Sequence, residues 1–377
     1  MARLVISTVG TSLLTNQIKN SEKRLNSRLQ DTTNLTQDEI GEDVKDIISQ
    51  LLTRAEKILN RGDTLEIQEA SAELNGIYEL YDKNLEAGKE DIHWLIATNT
   101  AQGRATAKIV REFLVKQGIT NTKIFPESDS KFSTKNTDVF SQGIAEIIRW
   151  MENLKEKYQS QIKIVFNLVG GFKAIQGYMN TIGMFYADEI IYIFEGSNKL
   201  IKIPRLPVEI KLSEVEKYKL PLAMMSERKR MLTSWKEAQE IPKDWVDVTE
   251  KEMTLSAWGE LIYQQSKNKL LSQDEPLKFP KIEYKQSFLD DYQDKPADEK
   301  IILQENLARL ACLLNINKDG ISAVKQDAII HLRRYIGKYK DLDHFDLPKD
   351  RRVSCLVLGN TLQLRHYGEH DYVNNNP

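Results

Sequence analysis

The chain has 377 residues, of which 41% are apolar and 29% charged, and its formal net charge at pH 7 is −2. A single hydrophobic core seldom serves more than about 250–300 residues, so at least two domains are expected. The charge excludes a polycation that binds nucleic acid through its whole surface, which leaves a local basic patch as the alternative. No apolar run reaches the roughly 20 residues that span a membrane, and the two cysteines, Cys312 and Cys355, form no CxxC pair. The sequence therefore predicts a cytoplasmic protein with no disulfide framework, metal site or cofactor.

The first half of the chain alternates apolar, strand-like runs with amphipathic segments. Strands are expected at 3–9, 92–98, 122–126 and 162–169, followed by a hairpin of 190–195 and 200–203. Helices are expected at 36–60, 63–80, 102–116 and 137–158. Continuous apolar strands separated by helices are typical of a parallel sheet covered on both faces, so the fold class is α/β, doubly wound.

Three turns at the predicted carboxyl ends of these strands are small and polar. In an open parallel sheet this edge holds the ligand, and glycines with open helix N-termini suit phosphate groups. Neither GxGxxG nor GxxxxGK[ST] is present, so a dinucleotide or ATP-hydrolysing protein is disfavoured. The three turns are Ser7–Ser12, Thr98–Thr100 and Asn167–Lys173.

The segments STVGTSLLTN, ATNTAQGRATAKIVREFL, FNLVGGFKAIQGYMN and YIFEGSNKLIKIPRLPVEI resemble the CRISPR-associated Rossmann fold (CARF) family over residues 1–210. That resemblance implies a domain that binds cyclic oligoadenylate across a homodimer interface, through the turn after the first strand and the GG-x-K turn. The ligand-binding residues that it implies are Thr8, Gly10, Thr11, Ser12, Thr98, Asn99, Asn167, Gly170, Gly171 and Lys173. We expect cyclic tetra-adenylate as the activator. Some family members also cleave the ring slowly, and the sequence leaves that activity open.

Residues 211–277 are of mixed charge, and TLSAWGELI within them resembles the winged-helix connector that often follows a CARF domain. From residue 278 the pattern restarts as a small α+β module. It has helices at 288–292 and 299–314, a basic helix at 324–339, and two strands, RVSCLVL and TLQLRHY, joined at Gly359-Asn360. Strict alternation on the last strand would place Leu362, Leu364 and His366 on one face and Gln363, Arg365 and Tyr367 on the other.

Four of the five histidines lie in the last 47 residues, beside arginines, lysines and a terminal tyrosine. RNA cleavage without a metal needs a base for the ribose 2′-hydroxyl, cations for the phosphorane and an acid for the leaving 5′-oxygen. The ending HYGEHDYV and the opening IEYKQSFLDDY resemble the RelE superfamily of toxin ribonucleases over residues 281–377, which cut mRNA in the ribosomal A site. The resemblance implies Arg352 as phosphate stabiliser and His370 as general acid or base. It also implies Tyr372 as the terminal tyrosine, phosphate contacts from Arg365 or His366, and extra groups at Lys338, Lys340 and His344.

Other interpretations stay open at this stage. Arg365 and His370 also spell RxxxxH, the motif of the HEPN ribonucleases, which would need it on a helix at a dimer seam. A ligand-responsive transcription regulator would need a basic recognition helix within 225–260 and an inert C-terminus. His366 and the Arg351-Arg352 pair have plain structural interpretations too, as a satisfied sheet residue and a solvated charge cluster.

Overall fold

The computed structural model describes residues 2–127, 132–158, 161–194, 199–227, 231–232, 235–250 and 252–377. The chain divides into two compact units, Met1–Val208 (unit 1) and Glu209–Pro377 (unit 2). Within the described ranges, no helix combines the length and the apolar character that a membrane crossing needs.

Unit 1 is built on a six-stranded sheet. Its strands are β1 Arg3–Thr8, β2 Ile92–Ile96, β3 Thr122–Phe125, β4 Lys163–Asn167, β5 Glu189–Phe194 and β6 Lys199–Pro204. Their order is β3-β2-β1-β4-β5-β6; β1 to β5 are parallel and β6 is antiparallel to β5. The predicted parallel sheet and terminal hairpin are confirmed, while the turn at 195–198 lies outside the described residues.

Helices cover both faces of this sheet. They are α1 Ser12–Thr15, α2 Lys23–Asp31, α3 Glu42–Arg61, α4 Thr64–Ala70, α5 Ala72–Leu80, α6 Ala101–Lys116, α7 Thr137–Tyr158 and α8 Lys173–Tyr186. Val5, Leu95 and Val165 share a core with apolar residues of α5 and α6. On the opposite face Trp94 of β2 packs edge-on against Trp150 of α7, 5.2 Å away. The α/β class predicted from the apolar runs is therefore confirmed.

Several helix starts follow from local sequence chemistry. Asp63 and Glu66 form a reciprocal capping box at α4, and the Ser71 hydroxyl accepts a hydrogen bond from the Leu74 amide at α5. Thr100 caps α6 in the same way through the Gly103 amide. These caps fix where α5 and α6 begin, close to the sheet edge at which the predicted ligand residues lie.

Unit 2 contains a three-stranded and a five-stranded sheet. The strands are β7 Met231–Leu232, β8 Val246–Val248, β9 Glu252–Leu255, β10 Ile282–Tyr284, β11 Arg333–Arg334, β12 Asp343–Leu347, β13 Arg351–Leu358 and β14 Thr361–Glu369. Their orders are β7-β9-β8 and β10-β14-β13-β12-β11; β10 is parallel to β14 and the other pairs are antiparallel.

The helices of unit 2 are α9 Leu212–Val215, α10 Lys219–Ser226, α11 Lys236–Gln239, α12 Ala257–Leu271, α13 Gln286–Gln293, α14 Ala297–Ile316, α15 Gly320–Gln326 and α16 His370–Asn375. One core collects buried residues from both sides of residue 278, including Met224 of α10, Leu270 of α12 and Leu310 of α14. The two predicted C-terminal strands are confirmed as the hairpin of β13 and β14, with Leu358 paired to Thr361 across the turn.

The basic helix predicted at 324–339 is wrong. The helix α15 ends at Gln326, because the Asp327 carboxylate accepts hydrogen bonds from the Ile329 and Ile330 amides and pairs with Arg309 at 2.8 Å. A side chain that binds the backbone just ahead of it turns the chain out of a helix. His331 then adopts a positive φ of 48°, and Arg333–Arg334 continue as the edge strand β11.

The predicted alternation along the last strand also fails beyond Leu364. Ser354 pairs with His366 but Cys355 pairs with Leu364, so Arg365 is an extra residue in β14. Such a β-bulge resets which face each later side chain occupies. Tyr367 consequently joins Leu362 and Leu364 in the core, with 1% of its surface exposed, and His366 lies on the opposite face.

Candidate functional site

The sheet of unit 1 brings two of the predicted turns together. Because β1 and β4 are parallel neighbours, the turns that follow them lie at the same edge of the sheet. In open α/β sheets this edge forms the crevice that binds ligands. Residues 8–12 leave β1 at this point and residues 167–173 leave β4. The predicted ligand residues of these two turns therefore lie at one edge of the sheet, and their role in binding stays a prediction.

The glycines here allow the turns to pack closely. A Cβ on Gly10 would lie 2.9 Å from the Gly171 amide nitrogen, and a Cβ on Gly171 would lie 2.9 Å from Thr8 Cβ. Gly171 also has a φ of +105°, which favours glycine. The Thr8 hydroxyl, which is buried, donates to the carbonyl of Gly170. Packing between the turns is thus sufficient reason for these residue types, whatever the crevice binds.

A buried carboxylate, Glu73 of α5, was missed by the sequence analysis. It accepts hydrogen bonds from the Gly10 amide at 2.6 Å, the Ser12 hydroxyl at 3.0 Å and the Ser71 hydroxyl at 2.8 Å. A Cβ on Gly170 would lie 2.2 Å from its Oε1. The Gly10 amide, which the sequence assigned to a ligand phosphate, therefore already donates its hydrogen bond to Glu73. A lone acidic residue in a helix carries no sequence signal for such a contact.

Other predicted ligand residues have partners inside the protein. The Asn167 side chain is buried and donates to Ser7 Oγ at 3.1 Å and to the Glu73 carbonyl at 3.0 Å. The hydroxyls of Thr98 and Thr100 lie 3.1 Å apart beneath the start of α6. The polar groups of these three side chains therefore bond within the protein.

The groups that face outward at this edge are fewer. Lys173 is exposed and is the first residue of α8, whose N-cap, Phe172, makes no side-chain capping bond. The first amides of an uncapped helix carry partial positive charge and attract anions. Thr11, Asn99 and Gly171 are partly exposed around the same edge. Lys173 and these amides are the donors best placed to meet a negatively charged ligand.

In unit 2, a polar face forms on the five-stranded sheet opposite its core. Cross-strand neighbours project on the same side of a sheet. Arg333, His344, Ser354 and His366 are successive cross-strand partners, and Asp346 and Arg352 pair in the next row. The other face carries Phe345, Val353, Cys355 and Tyr367 into the core. We call the outward set, with α16 packed against it, the polar face.

Arg352 is a buried cation of the polar face that is hydrogen-bonded on both sides. Only 7% of its surface is exposed; its guanidinium contacts Asp346 Oδ1 at 2.7 Å and donates to Asn374 of α16. Burial acts to raise the pKa of Asp346, but the hydrogen bond and charge of Arg352, with the charges of Arg333 and His344, lower it overall. The predicted phosphate stabiliser is thus held in a fixed orientation. Arg351 points to the other side and pairs with Glu299 at 2.9 Å, so the two arginines do not form one solvated cluster.

His344 lies beside Arg352 and is nearly buried. Burial, joined by the positive charge of Arg352, lowers its pKa to about 4, with Asp346 acting in the opposite direction. Its Nδ1 and the hydroxyl of Ser354, its cross-strand partner, are buried and have no hydrogen-bond partner within the described chain. The centroid of the Tyr335 ring lies 4.4 Å from that of the His344 imidazole.

His366 is paired with a carboxylate from α13. Its Nδ1 lies 3.0 Å from Asp291 Oδ2, and the Tyr372 hydroxyl donates to Asp291 Oδ1 at 2.9 Å. The Tyr367 amide donates to the same carboxylate at 3.0 Å. Burial and the bond to Asp291 raise the pKa of Tyr372. His366 is therefore a sheet residue with a satisfied hydrogen bond, as its structural interpretation expected, and Asp291 is a second residue that the sequence analysis missed.

The remaining predicted residues surround this face. His370 begins α16, and its Nδ1 lies 3.0 Å from Asp371 Oδ1. The charge of His370 acts to lower the pKa of His344. Arg365 is partly exposed and donates to the Pro377 carbonyl at 3.3 Å. Lys338 and Lys340 are exposed in the loop between β11 and β12, where Lys338 covers the Tyr339 ring at 5.2 Å.

The geometry bears on both alternative functions. Arg365 lies on β14 and His370 starts α16, so the RxxxxH residues do not share a helix as a HEPN site requires. Within 225–260, the described helices beyond the end of α10 and before α12 are α11, of four residues, and a three-residue 3-10 turn, Lys243–Trp245. Neither offers the length of a DNA recognition helix in the described part of that segment.

The similarity to known proteins falls on unit 1. Residues 68–206 match the model of a family described as CRISPR-associated protein (Cas_APE2256). The match indicates a CRISPR-associated protein. The matched segment runs from α4 through β6 and includes Glu73 and the turn from Asn167 to Lys173. This is consistent with a CARF-type CRISPR-associated protein, and the match ends before unit 2.

Proposed function

We propose that this CRISPR-associated protein is an endoribonuclease that a cyclic oligoadenylate switches on. The ring would bind at the crevice of unit 1, and RNA would be cut at the polar face of unit 2 without a metal ion. Cyclic tetra-adenylate is our preferred activator, and a homodimer our preferred assembly, because a two-fold interface is self-complementary to a symmetric ring.

Support for the sensor half comes from the edge of the sheet in unit 1. Lys173 is exposed at the uncapped start of α8, the helix that follows β4. A ring of phosphodiesters presents several negative charges, and helix N-termini with a lysine are suited to bind them. The Gly10 amide already donates a hydrogen bond to Glu73, so most of the phosphate contacts would come from the start of α8.

One observation carries the ribonuclease half: a single face of the sheet collects Arg352, His344 and His366, with His370 on the adjoining helix. These groups match the roles that metal-free RNA cleavage needs. A histidine removes the 2′-hydroxyl proton, arginine stabilises the charged phosphorane, and a second acid protonates the leaving 5′-oxygen. Arg365, Lys338 and Lys340 would add positive charge along the RNA backbone.

Ligand binding would act by shifting an equilibrium between an inactive and an active arrangement of the protein. By its resemblance to RelE toxins, we propose mRNA in the ribosomal A site as the substrate. The ring nuclease activity of some CARF proteins is a separate question, since none of the contacts above requires it.

The test is to incubate the full chain with synthetic cyclic tri-, tetra- and hexa-adenylate and RNA, with and without ribosomes, and to map the cut ends. We expect cleavage only with a cyclic ligand, and ends carrying a 2′,3′-cyclic phosphate and a 5′-hydroxyl. Arg352→Ala and His370→Ala should lose cleavage but keep ligand affinity. Normal cleavage by His370→Ala would remove its assignment, and failure of every ring to bind would end the proposal.

A further inference from the structure

Asp291 and His366 form the most completely connected polar pair on the polar face. Asp291 lies on α13, and its two carboxylate oxygens receive the His366 ring, the Tyr372 hydroxyl and the Tyr367 amide at 2.9–3.0 Å. The side chains of Asp291 and His366 are 15% and 22% exposed, so solvent reaches the pair only in part. This arrangement is too well connected to be a chance surface contact.

The pair fixes the tautomer of the imidazole. A carboxylate only accepts hydrogen bonds, so the proton of a neutral His366 ring must lie on Nδ1, the atom that faces Asp291. Its Nε2 then carries the free lone pair, and it makes no hydrogen bond within the described chain. A neutral histidine whose orientation and tautomer are set by a carboxylate is well suited to general-base catalysis.

The other two histidines near this face are less suited to that role. Burial and the positive charge of Arg352 lower the pKa of His344 to about 4, so His344 is a weaker base than an ordinary histidine. His370 has its Nδ1 beside Asp371, whose side chain is 95% exposed, and the Asn374 amide nitrogen approaches both ring nitrogens at 3.3 and 3.4 Å. In the described part of the chain, neither ring is hydrogen-bonded to a partly buried carboxylate.

We propose that His366 is the general base of the cleavage and that Asp291 is the positioning residue that keeps its Nε2 unprotonated. This inference rests on the proposed ribonuclease function. The ribose 2′-hydroxyl gives its proton to Nε2 and its oxygen attacks the phosphorus. The bond from phosphorus to the 5′-oxygen breaks, and that oxygen takes a proton from an acid of the face. The products are a 2′,3′-cyclic phosphate and a 5′-hydroxyl.

The test compares kcat and KM for RNA cleavage by the full-length wild type, His366→Ala, Asp291→Asn and Asp291→Glu. General-base catalysis contributes about 10²–10⁴-fold, so His366→Ala should lose activity on that scale. Asp291→Asn should lower kcat by roughly 10- to 1,000-fold with little change in KM, because an amide NH₂ can donate to Nδ1 and favour the wrong tautomer. Asp291→Glu keeps an acceptor-only group and should recover part of the rate.

A matched control is available on the same helix. Asp290 is exposed and accepts only a local bond from Gln286 at 2.8 Å, so Asp290→Asn should behave as wild type. Tyr372→Phe removes one donor to Asp291 but leaves the bond to His366, so it tests whether the tyrosine matters on its own. Thermal unfolding of each variant separates loss of chemistry from loss of folding.

A spectroscopic measurement checks the tautomer independently of activity. With ¹⁵N-labelled histidine, the signal of His366 among the five histidines is assigned as the one that His366→Ala lacks. We expect a protonated Nδ1 in the wild type and in Asp290→Asn, and a shift towards protonated Nε2 in Asp291→Asn. An unchanged tautomer, or unchanged kcat, in folded Asp291→Asn would overturn the role of Asp291. Wild-type activity that persists in folded His366→Ala would overturn the general base alone, whereas a wild type that never cuts RNA would overturn both proposals.

Discussion

The carboxylate of Glu73 accepts a hydrogen bond from the Gly10 amide at 2.6 Å, although 63 residues separate them. Through this bond, α5 is joined to the turn that follows β1, at the edge of the sheet where we propose ligand binding. Glu73 therefore serves the stability of this edge, whereas exposed Lys173 is the residue that we propose binds the ligand.

Replacing Glu73 by alanine should destabilise unit 1. The buried amide of Gly10 and the hydroxyls of Ser12 and Ser71 would lose their shared acceptor, which we expect to lower the free energy of unfolding by about 2–4 kcal/mol. Urea denaturation measures this directly. Glu69→Ala, at an exposed position of α4, is the control and should change stability by less than about 0.5 kcal/mol.

Replacing Lys173 by alanine should weaken cyclic oligoadenylate binding without affecting the fold. A hydrogen bond to a charged group is worth roughly 1.5–3 kcal/mol, so an affinity loss of about 10- to 100-fold is expected. Titration calorimetry with cyclic tetra-adenylate gives the affinity. Lys108→Ala, exposed on α6, serves as the charge-matched control. Equal affinities for the two variants would show that Lys173 does not contact the ring.

Two glycines near the crevice should respond to alanine in opposite directions. At Gly171 a side chain would meet Thr8 Cβ at 2.9 Å and would require a φ of +105°, so Gly171→Ala should destabilise the protein. At Gly177, within α8, an added Cβ meets nothing within 4 Å, so Gly177→Ala should stabilise it by about 0.5–1 kcal/mol. Melting temperatures of the two variants provide the comparison, and a matching decrease in both would contradict this account of the turns.

Unit 1 should lose stability as the solution is acidified below pH 6.5. Burial lowers the pKa of His93 from the ordinary 6.5 to about 4, with Asp91 acting to raise it and Arg3 to lower it. The unfolded chain therefore takes up a proton before the folded one does. The resulting loss accumulates as the pH falls from about 6.5 to about 4 and is on the order of 2–3 kcal/mol.

Unfolding free energies at pH 7.5 and 4.5 for the wild type and His93→Gln provide the measurement. The substitution should reduce the dependence on pH by that amount, whatever it does to stability at pH 7.5. The exposed His331→Gln should leave the dependence as in the wild type. An unchanged dependence in His93→Gln would show that this histidine is not the source.

The sequence by itself determined the elements of unit 1 and the edge at which its polar turns meet. Buried parallel strands are recorded as continuous apolar runs, and strand ends as glycine and hydroxyl residues, so both are local signals. It also determined the β13–β14 hairpin and the concentration of histidines near it. The domain boundaries at 210 and 277 stay predictions. The roles of the site residues in binding a ligand or RNA stay predictions too.

Only the tertiary structure decided the contacts that define the two sites. Glu73 reaches Gly10 across 63 residues, and Asp291 reaches His366 across 75 residues, and neither acid has a local pattern that marks its partner. The bulge at Arg365 depends on the register of two strands, and the loss of the helix after Gln326 depends on the bond from Asp327 to Arg309 on another helix. Hydrogen bonds of this kind act between residues distant in the chain. The periodicity of a sequence reports only the environment of each helix or strand, so these contacts can be read only from the tertiary structure.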